Sequence, residues 1–433
     1  MQHESSCCEL WTLHLSRRGL FLTADAKLRG NRGFYLKYFG IIKYILDLVK
    51  GGLGIGYNFT EEQLAVRDLV RSFAQKEVAP LSRQMDETGW NPELYKKYIA
   101  TGLHATPVPE AYGGAGLGDV ECAVITHELA RADAGFAMSM EISWVCADMI
   151  RLHGSDEQKE KYLTAVADGK LFAFALTEPD SGSDAAGMRT RAKKQADGSY
   201  VVKGSKAWIT NAGIADYYVV MAITDPDKGA KGISAFLVDA GTPGLIVDKE
   251  EDKMGMRSSD THGLTFDDMK LPADALLGEE GKGFVYAMEG LDGGRISCAA
   301  ISTGIAEHAM QIAKEYSLQR TAFGKPIAKF QGVSFKLANM SMYIDAMNLM
   351  LYDAAALKAT GARCSKLAAE AKLLASTHAT QICLDAIQIL GGNGYSKEYN
   401  VERLLRDNKL MEIGEGTNEI LRVVIGSAVL AEK

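Results

Sequence analysis

Hydrophobic positions along the chain change period twice. At 60–63 the run TEEQ places the Thr60 hydroxyl three residues before Gln63, with Glu61 and Glu62 in the first turn, and Val66, Leu69, Val70 and Phe73 follow on one apolar stripe. This spacing predicts a helix packed into a bundle, and similar patterns predict helices over 119–132 and 155–167, interrupted by the turn-rich 107–118. From about residue 171 the period shortens. Short β-rich runs at 200–208, 217–223, 233–238 and 263–266 are parted by the turn signals Asp197-Gly198, Asp225-Pro226 and Thr242-Pro243-Gly244. After Gly283 helical patterns return over 295–318, 330–360, 364–390 and 400–409. Helices, then strands, then helices, without βαβ alternation, predict an α+β fold: an N-terminal helical domain at 57–170, a middle antiparallel β domain at 171–282 and a C-terminal helical domain at 283–433.

Residues 1–56 read differently. Arg17, Arg18, Lys27, Arg29, Arg32, Lys37, Lys43 and Lys50 outweigh Glu4, Glu9, Asp25 and Asp47, as in a transit peptide or a surface-binding helix. A functionless added N-terminus is the favoured reading, because no signal-peptide layout is complete. The most apolar stretch, 34–49, is broken by Lys37, Lys43 and Asp47, and no uncharged run approaches the ~20 residues of a membrane span. A cytoplasmic location is expected, or the mitochondrial matrix if the leader is a transit peptide.

With 47% hydrophobic and 24% charged residues the chain is globular rather than disordered, and its formal charge of -7 argues against sequence-independent nucleic-acid binding. The cysteines Cys7, Cys8, Cys122, Cys146, Cys298, Cys364 and Cys383 form no CxxC pair, and no His stands at zinc-ligand spacing. A reducing compartment and no metal site are therefore expected.

Three glycine-rich stretches invite a ligand. GGLGIG at 51–56 lacks the preceding strand of a dinucleotide site, so that reading is set aside. LTEPDSGSD at 176–184 offers hydroxyls and backbone N–H groups to a polar ligand, or is a turn with an Asx cap. GGNG at 391–394 carries more glycine than a helix C-cap needs, which suits close approach of backbone to a ligand.

Taken in order, LTEPDSGSD (176–184), GSKAWITN (204–211), EDKMGMRSSDT (251–261), LDGGR (291–295), QRTAFGKPIAKFQ (319–331), QILGGNGYS (388–396) and GEGTNEI (414–420) resemble the acyl-CoA dehydrogenase family of flavoenzymes. The resemblance runs from Tyr57 to the C-terminus and implies a C-terminal four-helix bundle, FAD as cofactor, an acyl-CoA substrate and an electron-transferring flavoprotein as partner. It implies that Leu176, Thr177, Ser183, Trp208, Thr210 and Thr417 contact the cofactor. Arg320, Phe323, Gln388 and Gly392 match residues that reach the cofactor of a neighbouring subunit, implying a homo-oligomer, usually a tetramer. Ser183, Ser259, Asp292 and Arg295 match positions along the thioester arm and pantetheine chain. Ala322 departs from the pattern, since relatives often place there a Thr that bonds the cofactor.

The resemblance makes Glu415 the catalytic base. Flanking Gly414 and Gly416 let the main chain approach an acyl group, and burial raises a carboxyl pKa toward the operating range. On its own, Glu415 reads better as an acid near a helix N-terminus, and the seven ordered motifs reverse that preference. Some relatives carry the base immediately before the residue matching Arg295, which here is Gly294; Glu141 is the next candidate acid. An oxygen-using oxidase and a non-catalytic acyl-CoA-binding protein are the competing readings. EDKMG, LDGGRI and SKEY resemble the short-chain branch, yet Gly414 stands where those relatives commonly carry Tyr. With Met138, Met140 and Trp144 as the opposite wall, the expected pocket is shallow and wide, suited to short, branched or alicyclic acyl groups such as butyryl or cyclohexanecarboxyl.

Overall fold

The computed structural model describes residues 58–432 together with residues 14–16 and 19–21. The two short pieces are antiparallel strands, β1 (His14–Ser16) and β2 (Gly19–Phe21), with Leu15 opposite Leu20. The expectations for the rest of the leader, and for the glycines at 51–56, lie outside the described residues.

Helix α1 (Glu61–Phe73) starts at the capping box read from the sequence: the Thr60 hydroxyl accepts from the Gln63 amide at 3.2 Å, and the Gln63 side chain accepts from the Thr60 amide at 3.0 Å. It continues through a π-helical turn, Ala74–Val78, and two short helices follow, α2 (Ser82–Thr88) and α3 (Pro92–Ile99). Then come α4 (Asp119–Ala132), α5 (Ala134–His153) and α6 (Asp156–Ala167). Only Asp133 separates α4 from α5, and its carboxylate caps α5 by accepting from the Phe136 amide at 2.9 Å. The same carboxylate accepts from Ser82, Ser258 and Arg403, tying together all three parts of the chain.

The middle sheet has eight strands in the order β10-β7-β6-β4-β5-β9-β8, with β3 attached to β6, and its edges are β10 (Leu276–Leu277) and β8 (Leu245–Glu250). The longest are β5 (Tyr200–Thr210) and β9 (Thr261–Leu271), with β6 (Tyr217–Ile223) and β7 (Ile233–Asp239) beside them. Pairing is antiparallel except where β3 (Phe172–Ala175) and β4 (Arg191–Lys194) meet β6 in parallel. The FAFA run of β3 is buried at every position, so it lacks the alternation that marks a half-exposed strand.

Helix α7 (Gly283–Gln319) is the spine of the C-terminal part, packing against α4 and α5 on one side. It is joined by α8 (Gln331–Ala359), α9 (Ser365–Leu390), α10 (Val401–Met411) and α11 (Asn418–Ala431), and α9 packs against each of the other four. Among the described residues, no helix is long and apolar enough to cross a membrane.

Candidate active site

Glu415 lies in the loop between α10 and α11, outside either helix. The N-cap of α11 is Thr417, whose hydroxyl accepts from the Ile420 amide at 3.3 Å, so Glu415 is not a first-turn acid. Its backbone is left-handed, with φ of 54°, and Gly416 follows at 90°. A non-glycine residue in that region is strained by about 1–3 kcal/mol and persists only where its surroundings hold it. Two cations hold it. Arg295 Nε donates to the Glu415 carbonyl at 3.4 Å, and Lys372 Nζ donates to the Gly416 carbonyl at 2.7 Å and to Asn418 Oδ1 at 3.2 Å. Both reach backbone carbonyls of the loop and leave the carboxylate alone: Glu415 Oε2 is buried with no hydrogen-bond partner.

Opposite this carboxylate stands Gly294 on α7. A Cβ there would lie 2.5 Å from Glu415 Oε2 and 3.0 Å from its Cδ, so the position before Arg295 is bare because the acid occupies its space. Burial pushes the Glu415 carboxyl above its ordinary pKa, and the charges of Arg295 and Lys372 pull it part of the way back. A second acid, Glu141 on α5, shares the neighbourhood. Burial first, and then the negative charge of Glu415, hold Glu141 well above the ordinary carboxylate range.

The residues expected to hold a flavin fall into two groups. In the first, the Leu176 carbonyl accepts from Lys206 Nζ at 2.9 Å and the Thr177 carbonyl from the Ala207 amide at 2.9 Å, which sets both beside Trp208 and Thr210 on β5. The register of β5 against β9 slips between Lys206 and Ile209, and at this bulge Trp208 has a φ of 59° and an indole 61% exposed. Bulges re-aim side chains, and an uncovered indole beside two hydroxyls suits a flat, hydrogen-bonding ring such as isoalloxazine. Ser183 sits in the exposed loop after Ser181.

The second group lies elsewhere. Arg320 and Phe323 follow the end of α7, and Gln388 and Gly392 end α9. Asn393 donates to the Tyr316 hydroxyl of α7 at 2.9 Å, drawing these ends together. Arg320 is about 37 Å along the helix axis from Arg295 at 1.5 Å per residue, so this group does not meet the first around Glu415. Phe323 is 95% exposed with a φ of 51°.

Of the residues expected along the thioester arm, Arg295 Nη1 donates to Asp292 Oδ1 at 2.7 Å, and Ser365 donates to Asp292 Oδ2 at 2.5 Å. Ser259 is buried, and its hydroxyl accepts from Ser139 of α5 at 3.2 Å. The expected Met140 and Trp144 wall is corrected. The Trp144 indole donates to the His104 carbonyl at 2.7 Å, and both side chains line a small space with Tyr95, His104 and Leu171 inside the N-terminal part. Glu141 lies one residue beyond Met140, and a helix turns about 100° at each step, which separates their faces. Lys372 was missed from the sequence. Its signal is a lysine on an alanine stripe, since Ala368, Ala371, Ala375 and Ala379 around it are all buried.

Comparisons with known proteins agree along the whole described body. Residues 60–170, 173–269 and 281–430 match, in order, the N-terminal, middle and C-terminal domains of acyl-CoA dehydrogenases. The solved structure of butyryl-CoA dehydrogenase from Megasphaera elsdenii is 45% identical, with a TM-score of 0.84 over 86% of this chain and 99% of that one. A chain from a structure of the electron transferring flavoprotein of Acidaminococcus fermentans is 42% identical, with a TM-score of 0.85 over 87% of this chain and 100% of that one. Cyclohex-1-ene-1-carbonyl-CoA dehydrogenase from Geobacter metallireducens is 43% identical over 86% of this chain and 99% of its own length. With three domain matches in sequence order and an unbroken structural match, the chain belongs to the acyl-CoA dehydrogenase family, flavin-dependent oxidoreductases whose cofactor is FAD.

Proposed function

We propose that this enzyme oxidises a short, branched or alicyclic acyl-CoA to its α,β-unsaturated thioester, with Glu415 as the base. The observation that carries the reading is the enclosed, unpartnered Glu415 Oε2, a carboxylate oxygen free to take a proton. Arg295 and Lys372 keep positive charge beside it without bonding to it, which counters the effect of burial and favours an ionised, uncommitted carboxylate. Glu415 takes the proton from the α carbon, and the β carbon gives up a hydride with its electron pair. FAD supplies the hydride acceptor, which no side chain can be.

Leu176, Thr177, Ser183, Trp208, Thr210 and Thr417 hold the cofactor at this end, while Ser183, Ser259, Asp292 and Arg295 guide the thioester arm. Arg320, Phe323, Gln388 and Gly392 serve a second chain's cofactor, which the separation along α7 supports. Exposed Phe335, Met342 and Leu349 recur every seven residues on α8, and Val423 and Leu430 do so on α11, as in helices that pack against another copy. A homotetramer with an electron-transferring flavoprotein as electron acceptor is the assembly proposed. The M. elsdenii relative, named for butyryl-CoA, and the G. metallireducens relative, named for cyclohex-1-ene-1-carbonyl-CoA, support short and alicyclic thioesters as candidate substrates.

The test is anaerobic bleaching of the FAD-loaded enzyme by butyryl-, isovaleryl-, octanoyl- and cyclohexanecarboxyl-CoA. Fast bleaching by short, branched or alicyclic thioesters, abolished in Glu415→Gln, is expected. A preference for octanoyl-CoA, or rapid peroxide release in air with no gain from the flavoprotein partner, would contradict it.

A further inference from the structure

Among the described residues the buried acids fall into two kinds. Glu121, Glu128, Asp133, Glu178, Asp260 and Asp407 each bond within the chain: Glu178 to Lys206 at 2.8 Å, Glu128 to Arg71 at 2.5 Å and Glu121 to Gln63 at 3.0 Å, for example. Glu141 differs. It is 2% exposed, and neither carboxyl oxygen has a hydrogen-bond partner. The Ser297 hydroxyl lies alongside and can rotate to meet one oxygen, which leaves the other bare. A buried polar group that the fold does not satisfy is one that something else satisfies.

Helix packing locates that something. On α5, Glu141, Val145 and Met149 form one stripe at i, i+4 and i+8. On α7, Gly290, Gly294 and Ser297 form the facing stripe. A Cβ at Gly290 would meet Val145 Cγ1 at 3.2 Å and Met149 Cγ at 3.4 Å, Gly294 meets Glu415, and Ser297 meets Glu141. The helices therefore run in opposite directions here, and Glu141 stands three residues, about 4.5 Å, along α7 from the position that faces the base. That offset matches a three-atom tail reaching from an α carbon held at Glu415.

We propose that Glu141 is a specificity-determining residue that reads a hydrogen-bond-accepting oxygen on the acyl chain, so that among short acyl-CoAs one carrying such an oxygen is bound more tightly than its hydrocarbon counterpart. This rests on Glu415 being the base and deepens that reading. Burial and the neighbouring negative charge of Glu415 favour the protonated form of Glu141, and a protonated carboxyl presents an O–H donor. Cys146 and Cys298, the other polar neighbours, are weak partners held as neutral thiols by burial. A site built around a buried donor rejects an analogue that lacks the matching acceptor, because the donor is then left unmet.

The experiment compares 4-oxopentanoyl-CoA with 4-methylpentanoyl-CoA, a pair of similar shape in which an oxygen that only accepts replaces a methyl group. Dissociation constants are measured by calorimetry on the FAD-loaded Glu415→Gln enzyme, and kcat/KM on the wild type. The oxo compound is expected to bind at least tenfold more tightly, a preference lost in Glu141→Leu and largely kept in Glu141→Gln, whose amide still donates. Glu141→Met replaces the leucine variant if that variant fails to hold FAD. A ratio below tenfold, or one that survives Glu141→Leu or Glu141→Met, overturns the proposal. Failure of Glu415 as base appears separately, as turnover by Glu415→Gln, and leaves the binding ratio readable.

Discussion

Replacing Gly294 with alanine adds one methyl group where Glu415, the proposed base, sits. The new Cβ would lie 2.5 Å from Glu415 Oε2, 3.0 Å from Cδ and 3.4 Å from Cγ. Ordinary contact begins near 3.4 Å, so the carboxyl must withdraw by about 1 Å. Displacing a catalytic group by that much costs about a hundredfold in rate, or about 2.7 kcal/mol of transition-state stabilisation. The backbone need not move, because the methyl group meets only the far end of a side chain. Stability should rise slightly, since Ala is favoured over Gly within a helix by about 0.8–1.0 kcal/mol. Stopped-flow reduction of the bound flavin, beside flavin content and thermal unfolding, separates these effects. A variant at least as stable, fully loaded with FAD and about a hundredfold slower is expected. A rate within threefold of wild type would refute the placement of the base against α7, and loss of FAD would show that the methyl group disturbs more than the base.

Other outcomes follow from the same loop. Lys372→Met removes a cation that lowers the pKa of Glu415, and the base must be unprotonated to act; the acidic limb of the kcat/KM profile should therefore move to higher pH, and Lys372→Arg should keep it nearer its place. An unshifted limb in a folded Lys372→Met enzyme would contradict that coupling. Deleting residues 1–54 should leave folding, FAD content and turnover intact, because no residue proposed for the site lies there, and loss of soluble protein would show that the segment packs on the core. Mixing subunits that carry Glu415→Gln with subunits that carry Arg320→Ala and Phe323→Ala should change FAD retention as expected for cofactor sites shared between chains, whereas independent behaviour would refute that sharing.

Much of the α+β order was readable because amphipathic elements advertise themselves. The period at 60–73 and the TEEQ cap gave α1 its start, and a β-rich run at 217–223 ahead of the Asp225-Pro226 turn signal gave β6 its bounds. Elements buried on all sides did not. Helix α5 is enclosed over most of its length, so its residues show no polar face and no period to count. The start of α7 was hidden for a related reason: Gly290, Gly293 and Gly294 interrupt the pattern, though Gly290 and Gly294 are what lets α5 and Glu415 come close. At the site, Glu415 was legible through motif order rather than through its own chemistry, which a first-turn acid would have matched. The direction in which Met140 and Trp144 point depended on how α5 is rotated against its neighbours, and composition carries no record of that. Lys372 shows the opposite case, where a charge on an alanine face was a visible signal of a buried role.

The central claim is that Glu415 removes the α proton, and it can be tested apart from hydride loss. 3,3-Dimethylbutyryl-CoA has α hydrogens but none on its β carbon, so it can give a proton and no hydride. Incubated in D2O with the FAD-loaded enzyme and followed by NMR, its α hydrogens should exchange rapidly with wild type and about 10²–10⁴-fold more slowly with Glu415→Gln, the range that general-base catalysis supplies. Exchange at the wild-type rate in Glu415→Gln, with the thioester still bound, would show that another group takes the proton.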